Sequence, residues 1–172
     1  MLLDRNGTKP DIWSRAETPQ DGAHPILSWE VFLSRRQNDA TGVPLGVELP
    51  NSFDPAAVQA HLGELALIAI RFPAFSDGRG FTLAKRLRRL DFAGTLRAVG
   101  PLIPDQFAYA LACGFDEVEL PEASASRQTS AQWTAALAAR SQIYQRGYAS
   151  EATSILDKRR LARAENTQGA GI

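Results

Sequence analysis

Between residues 45 and 120 the chain alternates short apolar runs with segments of helical periodicity. The apolar runs span 45–49, 65–72, 95–99 and 115–120, and the helical segments span 55–62, 81–90 and 104–112. Strands that are separated by single helices cannot pair as hairpins, so they form a parallel sheet with right-handed crossovers. The predicted fold is α/β: a small parallel sheet of about four strands, open or half-barrel-like, with crossover helices and additional C-terminal helices.

The chain length predicts one domain with extensions. It has 172 residues, and roughly 150 residues usually make one domain. The predicted segments are an N-terminal arm with a short helix, the α/β core, and a helical extension with a tail, at residues 1–42, 43–121 and 122–172. Helices are expected at residues 130–145 and 150–164 of the extension. The basic residues of the extension indicate either a helical tail that docks on a partner or a charged face exposed to solvent.

The charge balance excludes an overall electrostatic attraction to nucleic acid or to an anionic membrane. Nineteen Lys and Arg residues against nineteen Asp and Glu residues give a formal net charge of +0. No run approaches the roughly 18 apolar residues of a membrane span, and the N-terminus lacks the apolar region of a secretory signal. We therefore expect a cytoplasmic protein with no nucleic-acid partner and no membrane partner.

The few cysteines and histidines make a resident metal or redox cofactor unexpected. The one cysteine, Cys113, cannot form an internal disulfide or hold an iron–sulfur cluster. His24 and His61 lack the spacing of a zinc site. We expect no cofactor and no metal site, and we interpret Cys113, which has no histidine near it in sequence, as a small buried core residue.

Four charged residues are expected in a row near the carboxyl ends of the predicted strands. They are Glu48, Arg71, Arg97 and Glu119, and in three of the four strands the charge is followed by an apolar residue and a proline that ends the strand. Open α/β sheets and barrels bind their ligands at this edge, so Arg71 and Arg97 are candidate ligand-binding residues. The alternative is that the two acids and two arginines pair with one another.

The loop after the second predicted strand is a candidate anion site. It contains Asp77, Gly78, Arg79 and Gly80 just before a predicted helix. Two glycines allow close approach of the backbone, the helix offers free N–H groups, and Arg79 adds a positive charge. Sulfate, sulfite, phosphate or a carboxylate would fit these groups. The alternative is a turn in which Asp77 caps the helix and pairs with Arg79.

Two further sets of polar residues accompany this loop. Asp105 and Gln106 begin the third predicted helix at the same edge as Asp77, where they could orient a ligand, or they are a capped helix start with Pro104 at its first position. The helix after Gly80 has four cations predicted to face outward, which suit either an acidic partner or solubility: Lys85, Arg86, Arg88 and Arg89.

Several motifs together resemble a known bacterial family. They are Phe72-Pro-Ala-Phe-Ser-Asp-Gly-Arg-Gly-Phe-Thr-Leu-Ala, Gly94-Thr-Leu-Arg-Ala-Val-Gly100, Asp105-Gln106 and Cys113-Gly-Phe-Asp116. The resemblance covers roughly residues 43–145. The family has no known function, but its members are labelled oxidoreductases of sulfite reduction, and their genes accompany those of sulfite reductase. This chain departs from the family pattern at Pro101 and Pro104, where relatives carry Asp and Arg.

The resemblance implies an accessory protein of assimilatory sulfite reduction, with sulfite reductase components or a small oxyanion as partners. The lack of cofactor ligands favours docking on the reductase over catalysis. The alternative function is a small enzyme that acts on an acidic metabolite with the four charges at the strand ends. The sequence leaves the oligomeric state open.

Overall fold

A computed structural model describes residues 1–15, 23–36 and 44–139 of the chain. Eight strands form one sheet: β1 (Leu2–Asp4), β2 (Gly7–Thr8), β3 (Trp13–Ser14), β4 (His24–Ser28), β5 (Leu45–Pro50), β6 (Leu65–Arg71), β7 (Thr95–Val99) and β8 (Glu117–Glu119). Six helices accompany them: α1 (Trp29–Arg36), α2 (Pro55–Gln59), α3 (Arg79–Arg89), α4 (Phe107–Ala112), α5 (Glu122–Ala125) and α6 (Ser130–Ala139). Short 3-10 helices span Leu62–Glu64 and Pro104–Gln106.

The strand order across the sheet is β2-β1-β8-β7-β6-β5-β4-β3. Strands β3 to β8 are parallel to one another, whereas β1 is antiparallel to both β8 and β2. The prediction of parallel strands joined by helices is confirmed for β5 to β8. The sheet as a whole is mixed.

The predicted number of strands is wrong, because the sheet has eight strands and not about four. The additional strands β1 to β4 all come from the N-terminal segment, for which the sequence predicts an arm with a short helix. Each of them has only two to five residues, and β4 contains Pro25. Such short runs give almost no periodicity in sequence, and they form strands here because neighbouring strands supply their hydrogen-bond partners.

The connection from β2 to β3 forces the sheet to curl. These strands lie at opposite edges of the sheet, yet only residues 9–12 separate them in sequence. Eight strands laid flat would span roughly 34 Å, whereas the five steps from Thr8 to Trp13 reach at most about 18 Å. The sheet is therefore a curled half-barrel, and residues 9–12, which we call the strap, cross its open side.

Helices cover the outer face of the half-barrel and bury the main core there. In each strand, side chains alternate between the two faces of the sheet, and the apolar side chains on the outer face pack against α3, α4 and α6. Fully or almost fully buried side chains of this core include Phe72, Leu87, Phe107 and Trp133. The inner face has a much smaller apolar cluster of Ile26, Leu67 and Ala69, against which Trp13 and Val99 pack.

The helices agree with the sequence predictions except at their ends and at α5, which lies in a segment expected to be a linker. The predicted helix at 104–112 begins as the 3-10 helix Pro104–Gln106, and α2 ends at Gln59, before the predicted boundary. The described part of the 130–145 prediction is helical as α6, while the predicted helix at 150–164 and most of the basic tail lie outside the described residues. Within the described ranges no helix combines the length and apolar character needed to cross a bilayer.

Candidate functional site

The inner face of the half-barrel carries a network of ion pairs centred on Arg97. The Arg97 side chain is 1% exposed, and its Nε donates to Glu117 at 2.7 Å while a terminal nitrogen donates to Glu119 at 3.0 Å. At the neighbouring strand ends Arg71 donates through Nε to Glu48 at 2.9 Å. The register that pairs Ala69 with Arg97, and Arg97 with Glu117, places these side chains on one face.

Three charged residues of the N-terminal segment, in and beside the strap, complete this network. Asp11 in the strap accepts two hydrogen bonds of 2.8 Å from the two terminal nitrogens of Arg97, and Lys9 pairs with Glu117 at 2.8 Å. Arg15, just after β3, donates to Glu48 at 2.7 Å and to both oxygens of Glu119. We call these eight charged residues the network: Lys9, Asp11, Arg15, Glu48, Arg71, Arg97, Glu117 and Glu119.

The pairing favours the charged forms of three partly or fully buried members of the network, Asp11, Arg97 and Glu119. Burial opposes ionisation of Asp11, but hydrogen bonds from Arg97 outweigh it and hold the pKa of Asp11 below its usual range. Burial likewise opposes the charge of Glu119, and the bonds from Arg15 and Arg97 lower its pKa. For Arg97 the desolvation is offset by Asp11 and Glu117, which raise its pKa. Each of these three charges therefore has partners that stabilise its ionised form.

These contacts agree with the interpretation in which the strand-end charges pair off. All four predicted residues take part in ion pairs, and the most exposed of them, the 60% exposed side chain of Arg71, is bound to Glu48. Sequence reasoning missed Glu117, although the alternation Glu117-Val118-Glu119 in a strand places both acids on one face. No sequence signal could have found Asp11, Lys9 and Arg15, because their positions follow from the path of the strap.

In the loop before α3, the two charged candidates bind each other. Arg79 donates from Nε to Asp77 at 3.0 Å and from a terminal nitrogen at 2.7 Å, and its backbone N–H donates to the same carboxylate at 3.2 Å. Hydrogen bonding by Arg79 lowers the pKa of Asp77. The Asp77 carboxylate thus holds the position at the start of α3 that an external anion would take.

One of the two glycines of this loop is required by the packing of the core. A Cβ on Gly80 would come within 2.4 Å of the Phe72 ring, which is 2% exposed, so the close approach that requires glycine is to the core. Gly78 has an ordinary negative φ of −79°, and a Cβ there would meet only the Phe81 ring at 3.9 Å. Neither glycine needs a ligand to account for it.

Gln106 joins the 3-10 helix to the same loop, and Asp105 does not. The Gln106 side chain accepts from the Ile103 N–H at 3.2 Å and donates to the Phe75 carbonyl at 2.7 Å. Asp105 is exposed and lines a separate groove of about 410 Å³ between the 3-10 helix and α6. Among the described residues no hydrogen bond or ion pair connects Asp105 or Gln106 with Asp77 or Arg79.

Beside this loop lies a surface of exposed aromatic rings and cations. Phe75 is 55% exposed and Tyr109 is 47% exposed. The backbone carbonyl of Phe75 accepts from Gln106, and Tyr109 follows Gln106 by three residues, in α4. Lys85 lies over the Tyr109 ring at 5.2 Å from its centre. Arg79, Arg86 and Arg89 are also exposed on α3. We call Phe75, Arg79, Lys85, Arg86, Arg89 and Tyr109 the α3 surface.

One predicted outward cation is structural. Arg88 donates to the carbonyls of Gly114, Phe92 and Gly94 at 2.6–2.9 Å and pairs with Asp116 at 2.6 Å. Its guanidinium thereby joins the end of α3 to the turns that precede β7 and β8. Helical periodicity places Arg88 on the outer side of α3, but it cannot show which carbonyl groups Arg88 binds, because the positions of those turns depend on the folded chain.

The described residues contain no metal site or reactive cysteine. No group of three or more histidine, cysteine, aspartate or glutamate side chains in these ranges is placed to hold a metal ion. Cys113 is 2% exposed within the main core, and its burial raises the pKa of the thiol, which confirms it as a core residue. Gly114 after it has φ +103°, as a helix-ending glycine requires.

Comparison with known proteins identifies a family model that matches residues 46–155, which is more than half of the chain. The family is described as a bacterial protein of unknown function (DUF934). No curated protein matches the sequence. The matched range includes β5 to β8 and the α3 surface, and the strap lies before it.

Proposed function

The chain belongs to this bacterial family of unknown function, and we propose that it is an accessory protein of assimilatory sulfite reduction that docks on a sulfite reductase component. The link to sulfite reduction rests on the resemblance of the motifs around Phe72 and Gly100 to proteins that carry that label. The docking role rests on the α3 surface.

The observation that carries the docking role is the concentration of exposed aromatic side chains beside cations. Phe75 and Tyr109 are two of the three large hydrophobic side chains that are exposed in the described residues, and the third is Ile12 in the strap. Aromatic residues and arginine dominate the energetics of protein interfaces. Lys85 and Arg89 are one helical turn apart on the same side of α3, so they would complement an acidic partner surface.

Docking is favoured over binding of a small oxyanion at the start of α3. An oxyanion there would bind beside the negative charge of Asp77, whose carboxylate already accepts from the Arg79 side chain. A protein partner would instead contact Lys85 and Arg89, which are exposed on α3. The enzyme alternative loses support because every member of the network, including all four strand-end charges, is already engaged in an ion pair.

The direct test is binding of the purified protein to the haemoprotein and flavoprotein components of sulfite reductase by biolayer interferometry, at low and high salt. We expect a complex that weakens as salt increases, because surface charges are screened. Phe75→Ala should weaken binding about tenfold or more, as expected for an aromatic anchor. The double variant Lys85→Glu with Arg89→Glu should slow association strongly.

Two matched variants serve as controls. Ile12→Ala removes an equally exposed apolar side chain outside the α3 surface, and Arg5→Glu reverses an exposed cation in the β1–β2 turn. Both should bind as the parent protein does. Absence of a complex with either component, or equal effects of the control and α3-surface variants, would refute the proposal. A thermal shift with sulfite that disappears in Arg79→Ala would instead favour the oxyanion role.

A further inference from the structure

The strap covers a buried arginine and a cavity, although it has no buried side chain of its own. Residues 8–12 are all exposed. Beneath them lies Arg97, beside a cavity of about 280 Å³ whose lining includes Trp13, His24, Thr95 and Glu117. Segments with few buried apolar contacts open at low free-energy cost. The strap is thus a cover fastened by polar contacts.

Asp11 makes the contact that a bound carboxylate would make. Its two oxygens accept from the two terminal nitrogens of Arg97, each at 2.8 Å, in the fork geometry that guanidinium groups use to recognise carboxylates. The other acceptors on Arg97, Glu117 and Glu119, belong to the sheet itself. Asp11 is therefore the one carboxylate on this arginine that can leave without unfolding a strand.

We propose that Arg97 and the adjoining cavity form a binding site for a small monocarboxylate, and that Asp11 is a built-in occupant which the ligand displaces. This site is on the opposite face of the sheet from α3 and does not depend on the docking role. The cavity volume is just below the roughly 300–1,000 Å³ of drug-sized pockets, so it suits a metabolite of a few carbon atoms.

Charge conservation determines the ligand class. One carboxylate that replaces the Asp11 carboxylate leaves the charge around Arg97 unchanged, and two donors of the guanidinium remain satisfied. A neutral ligand would leave the buried Arg97 short of a negative partner, which is costly at 1% exposure. A cation would add a like charge to Arg97 and Lys9. The Trp13 ring and Thr95 hydroxyl offer the rest of the ligand one apolar and one polar contact.

The test uses the full chain with acetate, pyruvate and succinate as probes, against chloride at equal ionic strength. A monocarboxylate at ten times its Kd should raise the Tm by about 3–6 °C. Hydrogen exchange gives a second, more specific signature. The Trp13 and His24 amides, which donate to Asp11 and to the Ile12 carbonyl, should exchange faster with ligand, while the amides of β7 should exchange more slowly.

Two variants separate a ligand site from a simple defect. Asp11→Ala should bind acetate or pyruvate more tightly than the parent protein, because the competing carboxylate is gone. Asp116→Ala removes the carboxylate partner of Arg88 at an exposed site, and its affinity for carboxylates should equal that of the parent protein. A response by the parent protein together with tighter binding by Asp11→Ala would support the proposal.

Each other outcome overturns it. Binding by Asp11→Ala alone would mean that the substitution created a hole which acetate fills. Tighter binding by Asp116→Ala, to the same extent as by Asp11→Ala, would mean that loss of any carboxylate has this effect. No response by any variant would mean that the strap is a permanent part of the fold. Slower exchange at Trp13 and His24 with ligand would show that Asp11 is not displaced.

Discussion

Replacing Glu117 with alanine is expected to destabilise the folded protein by about 2–3 kcal/mol. Its side chain is 3% exposed and accepts from Arg97 at 2.7 Å and from Lys9 at 2.8 Å. Removing one partner of a buried ion pair costs roughly 3–5 kcal/mol. The lower value applies here because Arg97 keeps Asp11 and Glu119, and because Lys9, whose side chain is 39% exposed, regains water.

The assay is urea unfolding followed by circular dichroism, together with a thermal melt. For a chain of this size 2–3 kcal/mol corresponds to a fall in Tm of about 4–12 °C. Glu122→Ala, which removes an exposed acid in α5, is the control and should stay within about 0.5 kcal/mol of the parent. A Glu117→Ala protein as stable as the Glu122→Ala control would show that the buried pair of Glu117 and Arg97 does not stabilise the fold.

A double variant tests the cause of the loss. If the penalty comes from leaving Arg97 charged and under-paired, then Arg97→Met with Glu117→Leu should be less destabilised than the sum of the two single variants, by about 1–3 kcal/mol. Strict additivity of the two substitutions would show that the pair has no energetic coupling. The packing of the inner face would then be the cause.

Three further changes have expected outcomes. Gly80→Ala should lower stability by about 1–2 kcal/mol in urea unfolding, because the new Cβ would lie 2.4 Å from the Phe72 ring. Phe72→Leu should suppress that loss, and a stabilised Gly80→Ala protein would contradict this prediction. Asp91→Gly should raise stability by about 0.5–1 kcal/mol, since Asp91 has φ +62°, and an unchanged melt would count against this. Because the pKa of Asp11 is lowered in the folded state, the unfolded state binds more protons on acidification, so the stabilisation by Asp11 is complete above the unfolded pKa of about 3.9 and decreases at lower pH. Asp11→Asn should therefore lose less unfolding free energy than the parent protein between pH 5 and pH 3. Parallel plots of stability against pH for the two proteins would contradict the lowered pKa of Asp11.

The core of the fold is predictable from the sequence because it is built from local periodicity. The apolar runs at β5, β6 and β7 are flanked by helical segments, and each is a strand in the structure. The helix after Gly80 and the left-handed Gly114 also follow from local preferences of the chain. These features depend on residues within about ten positions of one another.

The N-terminal strands could not be predicted in the same way. Leu2–Asp4 is a strand because it pairs with Glu117–Glu119, more than a hundred residues away in sequence. Its three residues carry no periodic signal, so only the exposed edge of the sheet determines their conformation. The same holds for Trp13–Ser14, which extends the opposite edge.

Local sequence is enough to recognise charges at strand ends, a helix at a glycine-rich turn, and a cysteine with no histidine near it in sequence. What each of these residues contacts depends on the folded chain. Arg97 is a candidate ligand residue by its position in a strand, but its contact with Asp11 depends on a strap that crosses the half-barrel. The alternation of side chains between the two faces of a strand follows from local backbone geometry. Contacts between distant segments depend on how the whole sheet curls, and that curvature is a property of all eight strands together.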